Sequence, residues 1–285
     1  MMLFVGCYYF EHFILMLIIW LVICTSYSYT KYMIERSDLN CKADLSKLAV
    51  DSRQLVWRRV FISKKVYNKE VMKILSVNVG IPREVIFRDE VVSTGIFKEP
   101  VKGRVRLRRL NLDGDKQSDL TVHGGEDKAV YAYPWEHYEY WQVQLPETIF
   151  SYGMFGENFT TEGLMEDAVN IGDQFQIGSA KVIVTQPRMP CYKLGVKFGR
   201  MDIIRRFLAS GRSGIYFKVL QEGEVGSADT IELISRDKNN VTVKDIVRLY
   251  VNDKKDIETM QRAVRINALP EGWRNHFGQQ IEEQN

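Results

Sequence analysis

One cysteine stands in the stretch "VTQPRMPCYKLG", residues 184–195: Cys191, behind Pro187 and Pro190, with Arg188 three residues before it and Lys193 two after. The prolines fix two φ angles and remove two amide donors, so the sulfur sits in a stiff frame. Neighbouring cations favour the thiolate form of a cysteine. A thiolate is a nucleophile, a redox centre or a soft-metal ligand. The competing reading is plain packing, since a lone cysteine behaves as a small hydrophobe.

Two further stretches carry groups suited to a ligand. "DLTVHGGEDKAVYAY" (119–133) places His123, Gly124 and Gly125 at the end of a strand-like run, followed by Lys128. Paired glycines let a backbone approach a ligand and offer amides to an anion, and a lysine is a point charge suited to phosphate. A simple turn with a surface lysine accounts for the same residues. "GMFGENFTTEGL" (153–164) sets Asn158, Thr160 and Thr161 after a glycine turn, where they can hydrogen-bond a ligand or merely cap local structure.

Other thiol and nucleotide chemistries lack their parts. There is no HxxxH or CxxC spacing for zinc, no GxGxxG or GxxxxGK[ST] fingerprint, and no GxSxG. A papain-like pair needs a histidine, and nothing in the sequence links His123, His137 or His276 to Cys191.

The elements that must position these groups are mostly strands. "KILSVNVG" alternates apolar and polar residues from Lys73, and "GRVRLRRLNL" puts Arg104, Arg106 and Arg108 on one face with Val105 and Leu107 on the other. "AVNIGDQFQIGSAKVIVTQP" gives two more strands; "GIYFKVLQEGEV" and "DTIELISR" are the last two. Many short strands split by glycine turns indicate a barrel or sandwich. Helices are expected at "YPWEHYEYWQVQ", with Pro134 in the first turn, and at "RMDIIRRFLASG", closed by Gly211. After about Ser235 three short amphipathic helices follow, the first capped by Thr242 with Asp245 and buried along Ile246, Leu249 and Tyr250. Met260, Val264 and Ile266 partly line the second.

The first 71 residues differ in kind. "FILMLIIWLVIC" is an apolar run of borderline length for a membrane span, and every Lys and Arg follows it. Residues 1–71 read either as a membrane anchor or as an extension upstream of a true start at Met72; both place the body in the cytoplasm. The net charge of +3 belongs to this segment: residues 72–285 hold 29 Lys and Arg against 30 Asp and Glu. No nucleic-acid footprint follows from that balance. Cys7, Cys24 and Cys41 lie in the extension, so the body cannot close a disulfide on itself, which fits a reducing compartment.

Taken in order, "HGGEDKAVYAYP", "FGENFTTEGL" and "QPRMPCYKLG" resemble the MOSC-domain proteins, and most closely their YiiM-like branch, which carries a three-helix C-terminal domain. The resemblance runs from about Met72 to the C-terminus. It implies a mainly β fold, a MOSC-type β-barrel over 72–235 with a few helices, then a three-helix domain over 236–285. It also implies the molybdenum cofactor, with Cys191 as metal ligand or persulfide carrier, and reduction of N-hydroxylated compounds such as hydroxylaminopurine. Arg188, Lys193 and Lys128 then suit the cofactor's phosphate and charge; Gly124, Gly125, Asn158 and Thr160 suit hydrogen bonds to it. His123 is a candidate proton donor. Electrons would come from a separate reductase protein, since no flavin or iron–sulfur signature is present. The rival expectation is a carrier that passes persulfide sulfur from Cys191 without turnover, and a third is a membrane-tethered binding protein, which requires residues 1–71.

Overall fold

Strand β1 (Lys73–Val79) begins where the alternation begins, with Ile74 and Val77 buried and a register shift between Ile74 and Ser76. The computed structural model describes residues 71–118, 124–253 and 255–284, all within one compact unit. The N-terminal segment 1–70, with its apolar run, and His123 lie outside the described residues.

A two-residue turn at Arg88–Asp89, both at positive φ, joins β2 (Arg83–Phe87) to β3 (Glu90–Thr94). The remaining strands are β4 (Glu99–Pro100), β5 (Arg104–Leu107), β6 (Val130–Pro134), β7 (Phe159–Glu162), β8 (Gln174–Ile177), β9 (Ala180–Pro187), β10 (Ile215–Gln221), β11 (Gly223–Gly226) and β12 (Ile231–Ser235). Eight of them form one sheet in the order β12-β8-β9-β10-β6-β7-β1-β4. Every pairing in it is antiparallel except β6 with β7. The sheet rolls without a full ladder between its ends. Instead Ile74 N donates to Asp229 O at 2.9 Å and Ile231 N to Met72 O at 2.7 Å, tying β1 to the start of β12.

Two expectations need correction. Pro134 does not open a helix: it ends β6 opposite Thr161, and Trp135 N still donates to Thr161 O at 2.7 Å. The chain therefore stays in the sheet past the proline, and α1 starts at Glu136 (Glu136–Gln144). The stretch 214–225 is two strands rather than one. The chain leaves the large sheet after Gln221, and β11 pairs with β5. Gly223 makes that turn possible, since a Cβ there would stand 2.4 Å from backbone atoms of Ser179 and Ala180.

Helices α2 (Tyr192–Phe198) and α3 (Asp202–Ser210) lie between β9 and β10. They help enclose an aromatic cluster of Tyr131, Tyr133, Tyr138, Trp141, Phe155 and Phe207. The larger core lies inside the rolled sheet around Phe159, Val182, Phe175 and Phe217, and it continues into the C-terminal helices. These are α4 (Val243–Val251), α5 (Ile257–Val264) and α6 (Glu271–Glu282). The expected cap of α4 is present as a reciprocal box: Asp245 N donates to Thr242 Oγ1 at 3.0 Å and Thr242 N to Asp245 Oδ2 at 3.0 Å. Ile246 and Leu249 are buried, each worth about 1.5–3 kcal/mol. Tyr250, expected beside them, sits at the rim of the stripe, 41% exposed. Among the described residues no helix is long and apolar enough to cross a membrane.

Candidate functional site

Strand β9 carries the chain to the site. Its last residues, Thr185, Gln186 and Pro187, are buried, and Pro187 still pairs with Ile215 of β10. The chain then leaves the sheet through Arg188, Met189 and Pro190. Cys191 follows with extended backbone, directly before α2. Its thiol is half-buried. The same strand fixes the turn at Glu126–Lys128: Thr185 Oγ1 donates to Asp127 O at 2.7 Å, and Lys128 N donates to Gly125 O at 3.1 Å. Gly125 holds φ at +93°, a conformation that side chains rarely adopt. Lys128 is thereby set beside the cysteine loop.

The thiol lines a cleft whose other charged walls, among the described residues, are Lys98, Lys116, Lys128, Arg188 and Lys193, with no carboxylate among them. Arg188 is 7% exposed, with its guanidinium 5.1 Å from the Tyr131 ring and 5.4 Å from the Phe207 ring. Burial works against its charge, but the Tyr131 and Tyr216 phenols and the Cys191 thiol outweigh that, so its pKa ends above the ordinary value. Its Nη1 is buried and has no hydrogen-bond partner among the described residues. Such an atom costs about 1–3 kcal/mol unless something else satisfies it. Lys193 is also buried, its Nζ donating to Ser118 Oγ at 2.6 Å. Burial holds the Lys128 pKa below the lysine range, with Asp127 pulling the other way. Burial likewise lowers that of Lys98, against the pull of its ion pair with Asp115 and of Glu157.

Asn158 lines the cleft too, but its side chain is spent inside the protein. Its Nδ2 donates to Asp115 Oδ2 at 2.9 Å and to Asn78 O at 3.3 Å, and its Oδ1 accepts from Tyr131 N at 3.1 Å. Thr160 lies behind the cleft, fully buried, donating to Glu157 Oε1 at 2.8 Å and accepting from Asn78 Nδ2 at 3.1 Å. Gly124 and Gly125 line a neighbouring hollow that meets the cleft at Lys128. The structure thus brings Cys191, Arg188, Lys193, Lys128 and Asn158 together, and sets Thr160, Gly124 and Gly125 around them.

Lys98, Lys116 and Tyr216 were missed by the sequence reading. Lys98 and Lys116 come from loops outside any of the three motifs, and Lys116 N donates to Gly80 O at 3.0 Å, a contact no local pattern announces. Tyr216 alternates along β10 as any strand residue does; only its pairing with Gln186 brings it to the cysteine strand. In chemical terms the arrangement can hold a polyanion beside a reactive thiol in a positive field.

Comparison with known proteins identifies the family. Residues 119–232 match the MOSC domain, and residues 241–284 match the YiiM-like, 3-alpha helix domain. The uncharacterized protein YflK of Bacillus subtilis is 41% identical over 209 residues, which are 73% of this chain and 94% of that protein. The crystal structure of YiiM from Geobacillus stearothermophilus superposes with a TM-score of 0.62 at 34% identity, covering 74% of this chain and 99% of that one. A Gibberella moniliformis protein described as a reductase is 30% identical over 161 residues, so that this chain spans 28% of its length. The chain belongs to the MOSC-domain family, in its YiiM-like branch with a three-helix C-terminal domain.

Proposed function

We propose that this chain binds the molybdenum cofactor in the Cys191 cleft and reduces N-hydroxylated compounds to amines. The observation that carries the reading is a half-buried thiol in a cleft where the described residues supply five cations and no carboxylate, with Arg188 Nη1 buried and without a partner among them. The donor set fits the group. Among the described residues there is no cluster of three or more His, Cys, Asp or Glu for a bare metal ion, which suits a metal that brings most of its own ligands. A pterin dithiolene does that and leaves room for one thiolate. Arg188, Lys193, Lys116 and Lys128 would hold its phosphate and anionic charge. When bound, the cofactor supplies two-electron redox chemistry at the metal.

The remaining work falls to the chain. Cys191 provides the soft ligand, and the prolines on either side of Arg188 keep the sulfur in place before the cofactor arrives. The Tyr131 hydroxyl is committed to Ser213 O, to which it donates at 2.8 Å, and burial raises its pKa well above the ordinary tyrosine value. His123 remains the proposed proton donor. The overall change is R–NHOH plus two electrons and two protons, giving R–NH₂ and water. The electrons come from a separate reductase protein. The reductase-named relative supports this class of chemistry.

The test is the metal and pterin content of the protein purified from a host that makes the cofactor and from one that cannot. About one molybdenum and one pterin per chain from the first host alone supports the reading. Sulfane sulfur on Cys191 with no molybdenum overturns it in favour of a sulfur carrier.

A further inference from the structure

The side chain of Gln186 uses both ends of its amide, and each end reaches a different part of the molecule. An indole N–H can only donate, so Trp273 fixes the orientation of the amide: Oε1 accepts from Trp273 Nε1 at 2.9 Å. Nε2 is thereby turned to the Asp127 carbonyl, at a longer 3.4 Å. A carbonyl oxygen has two lone pairs, and this one also takes the Thr185 hydroxyl at 2.7 Å. Gln186 is 6% exposed, so water does not readily replace either contact.

These contacts join α6, through Trp273, to the turn that carries Lys128 and to the strand that leads into Arg188 and Cys191. Tyr216, paired with Gln186 across β9 and β10, lines the cleft itself. Val247 of α4 lines a small hollow together with Arg188, Met189 and Pro190. The C-terminal helices therefore border both the Lys128 turn and the cysteine loop, while none of the described residues lining the cleft belongs to them. The pull of a cation on a thiolate or a bound anion falls with distance, so a small shift in Lys128 or Arg188 changes the field at Cys191.

We propose that Gln186 is a positioning residue: it relays the seat of α6 to the Lys128 turn and the cysteine loop, and so sets the positive field at the Cys191 thiol. The relay acts on whatever anion occupies the cleft, and so does not depend on the function proposed above. The three-helix domain then acts on the cleft from outside it, through one buried amide.

The test compares alkylation of Cys191 by iodoacetate, an anion, and by iodoacetamide, its neutral counterpart, in the full chain made by a host that lacks the cofactor. Both reagents consume the same thiolate, so the ratio of their rates reads the local field and cancels the thiolate fraction. Labelling is followed by mass spectrometry on the tryptic peptide Met189–Lys193, apart from the other cysteines. Trp273→Phe removes the indole N–H and keeps a ring, and Gln186→Met removes both amide contacts at similar size. Each is expected to lower the ratio roughly threefold, the effect of a unit charge moving a few ångströms in a partly hydrated cleft. The double variant should match Gln186→Met, because the two residues act through one bond. Met260→Ala, at a fully buried position in α5, controls for stability alone: its unfolding midpoint should fall while its ratio stays that of the unaltered protein. A ratio unchanged or raised in either single variant, or a further fall in the double variant, would overturn the relay. So would an equal fall in Met260→Ala, since the ratio would then follow the stability of the helices and not the Gln186 contacts.

Discussion

The Asn78–Glu157 network and the Cys191 cleft adjoin at Asn158 and Lys98, yet they treat buried polar groups in opposite ways. In the network each group has a partner. The Glu157 carboxylate accepts from Gly153 N at 2.9 Å, Phe155 N at 3.0 Å, Thr160 Oγ1 at 2.8 Å and the Tyr138 hydroxyl. Asp115 accepts from Gly80 N at 2.9 Å and from Asn158, and neutralises Lys98. In the cleft, Arg188 is buried with Nη1 unsatisfied among the described residues, and none of the described lining residues is a carboxylate. A saturated network rigidifies a fold. An unsaturated one is stable only at a cost that a ligand can offset. Residues of similar type are therefore braces on one side and, in the function proposed above, binding groups on the other.

The largest effect on stability is expected where the network is broken at a charge. Asp115→Ala leaves Lys98 buried without its ion pair and takes from Asn158 the shorter of its two acceptors, and should cost about 3–5 kcal/mol in chemical denaturation. A loss below about 1 kcal/mol would mean that Asp115 is not a brace. Thr160→Val keeps the shape and removes one hydroxyl, so a loss of about 1–3 kcal/mol is expected, with molybdenum per folded chain unchanged. Reduced molybdenum in a folded Thr160→Val protein would move Thr160 from the network to the binding set.

Across the boundary the pattern should invert. Arg188→Met replaces a buried, incompletely satisfied charge by an apolar side chain, so stability should stay within about 1 kcal/mol or rise. Molybdenum and pterin content should fall to background. A destabilised Arg188→Met protein that keeps its molybdenum would make Arg188 a brace after all.

This contrast explains what could be read from the sequence. That Cys191, Arg188, Lys193 and Lys128 share one cleft was legible because the sequence sets these groups within a few residues of prolines or after glycines. Asn158 and Thr160 carry the same local signal, since a brace and a ligand contact use the same side chains. Only the partners of Asn158 and Thr160, Asn78 and Asp115, distinguish the two roles, and they lie some 40 to 80 residues away in sequence. The strands and the α4 cap were legible from alternation and from the Thr242–Asp245 spacing. Helix α2 was not: it has seven residues, includes Gly195, and its leading residue Cys191 makes no side-chain cap. Tyr250 was misplaced because a helical period cannot say where an apolar stripe ends and a groove begins.

The smallest effect concerns Lys128. Lys128→Ala should change stability by no more than about 0.5 kcal/mol and weaken binding of inorganic phosphate to cofactor-free protein several-fold. Burial lowers the Lys128 pKa, so its charge is present below that value and is lost as pH rises through it, before the ordinary lysine range. Phosphate affinity of the unaltered protein should therefore decline over that window, and Lys128→Arg should reduce the decline, leaving the part that Lys98 contributes. An unchanged profile in Lys128→Arg would return Lys128 to the surface.

The central claim is that Cys191 holds a metal and does not serve packing. Cys191→Ser exchanges a soft thiolate for a hard hydroxyl of nearly the same size, at a half-buried position. Molybdenum content and thermal unfolding should be measured together on this variant and on the unaltered protein, both made in a cofactor-producing host. Loss of molybdenum and of N-hydroxy reduction, with stability within about 1 kcal/mol, is the expected result. A Cys191→Ser protein that keeps its molybdenum and its activity, or one that fails to fold, would contradict it.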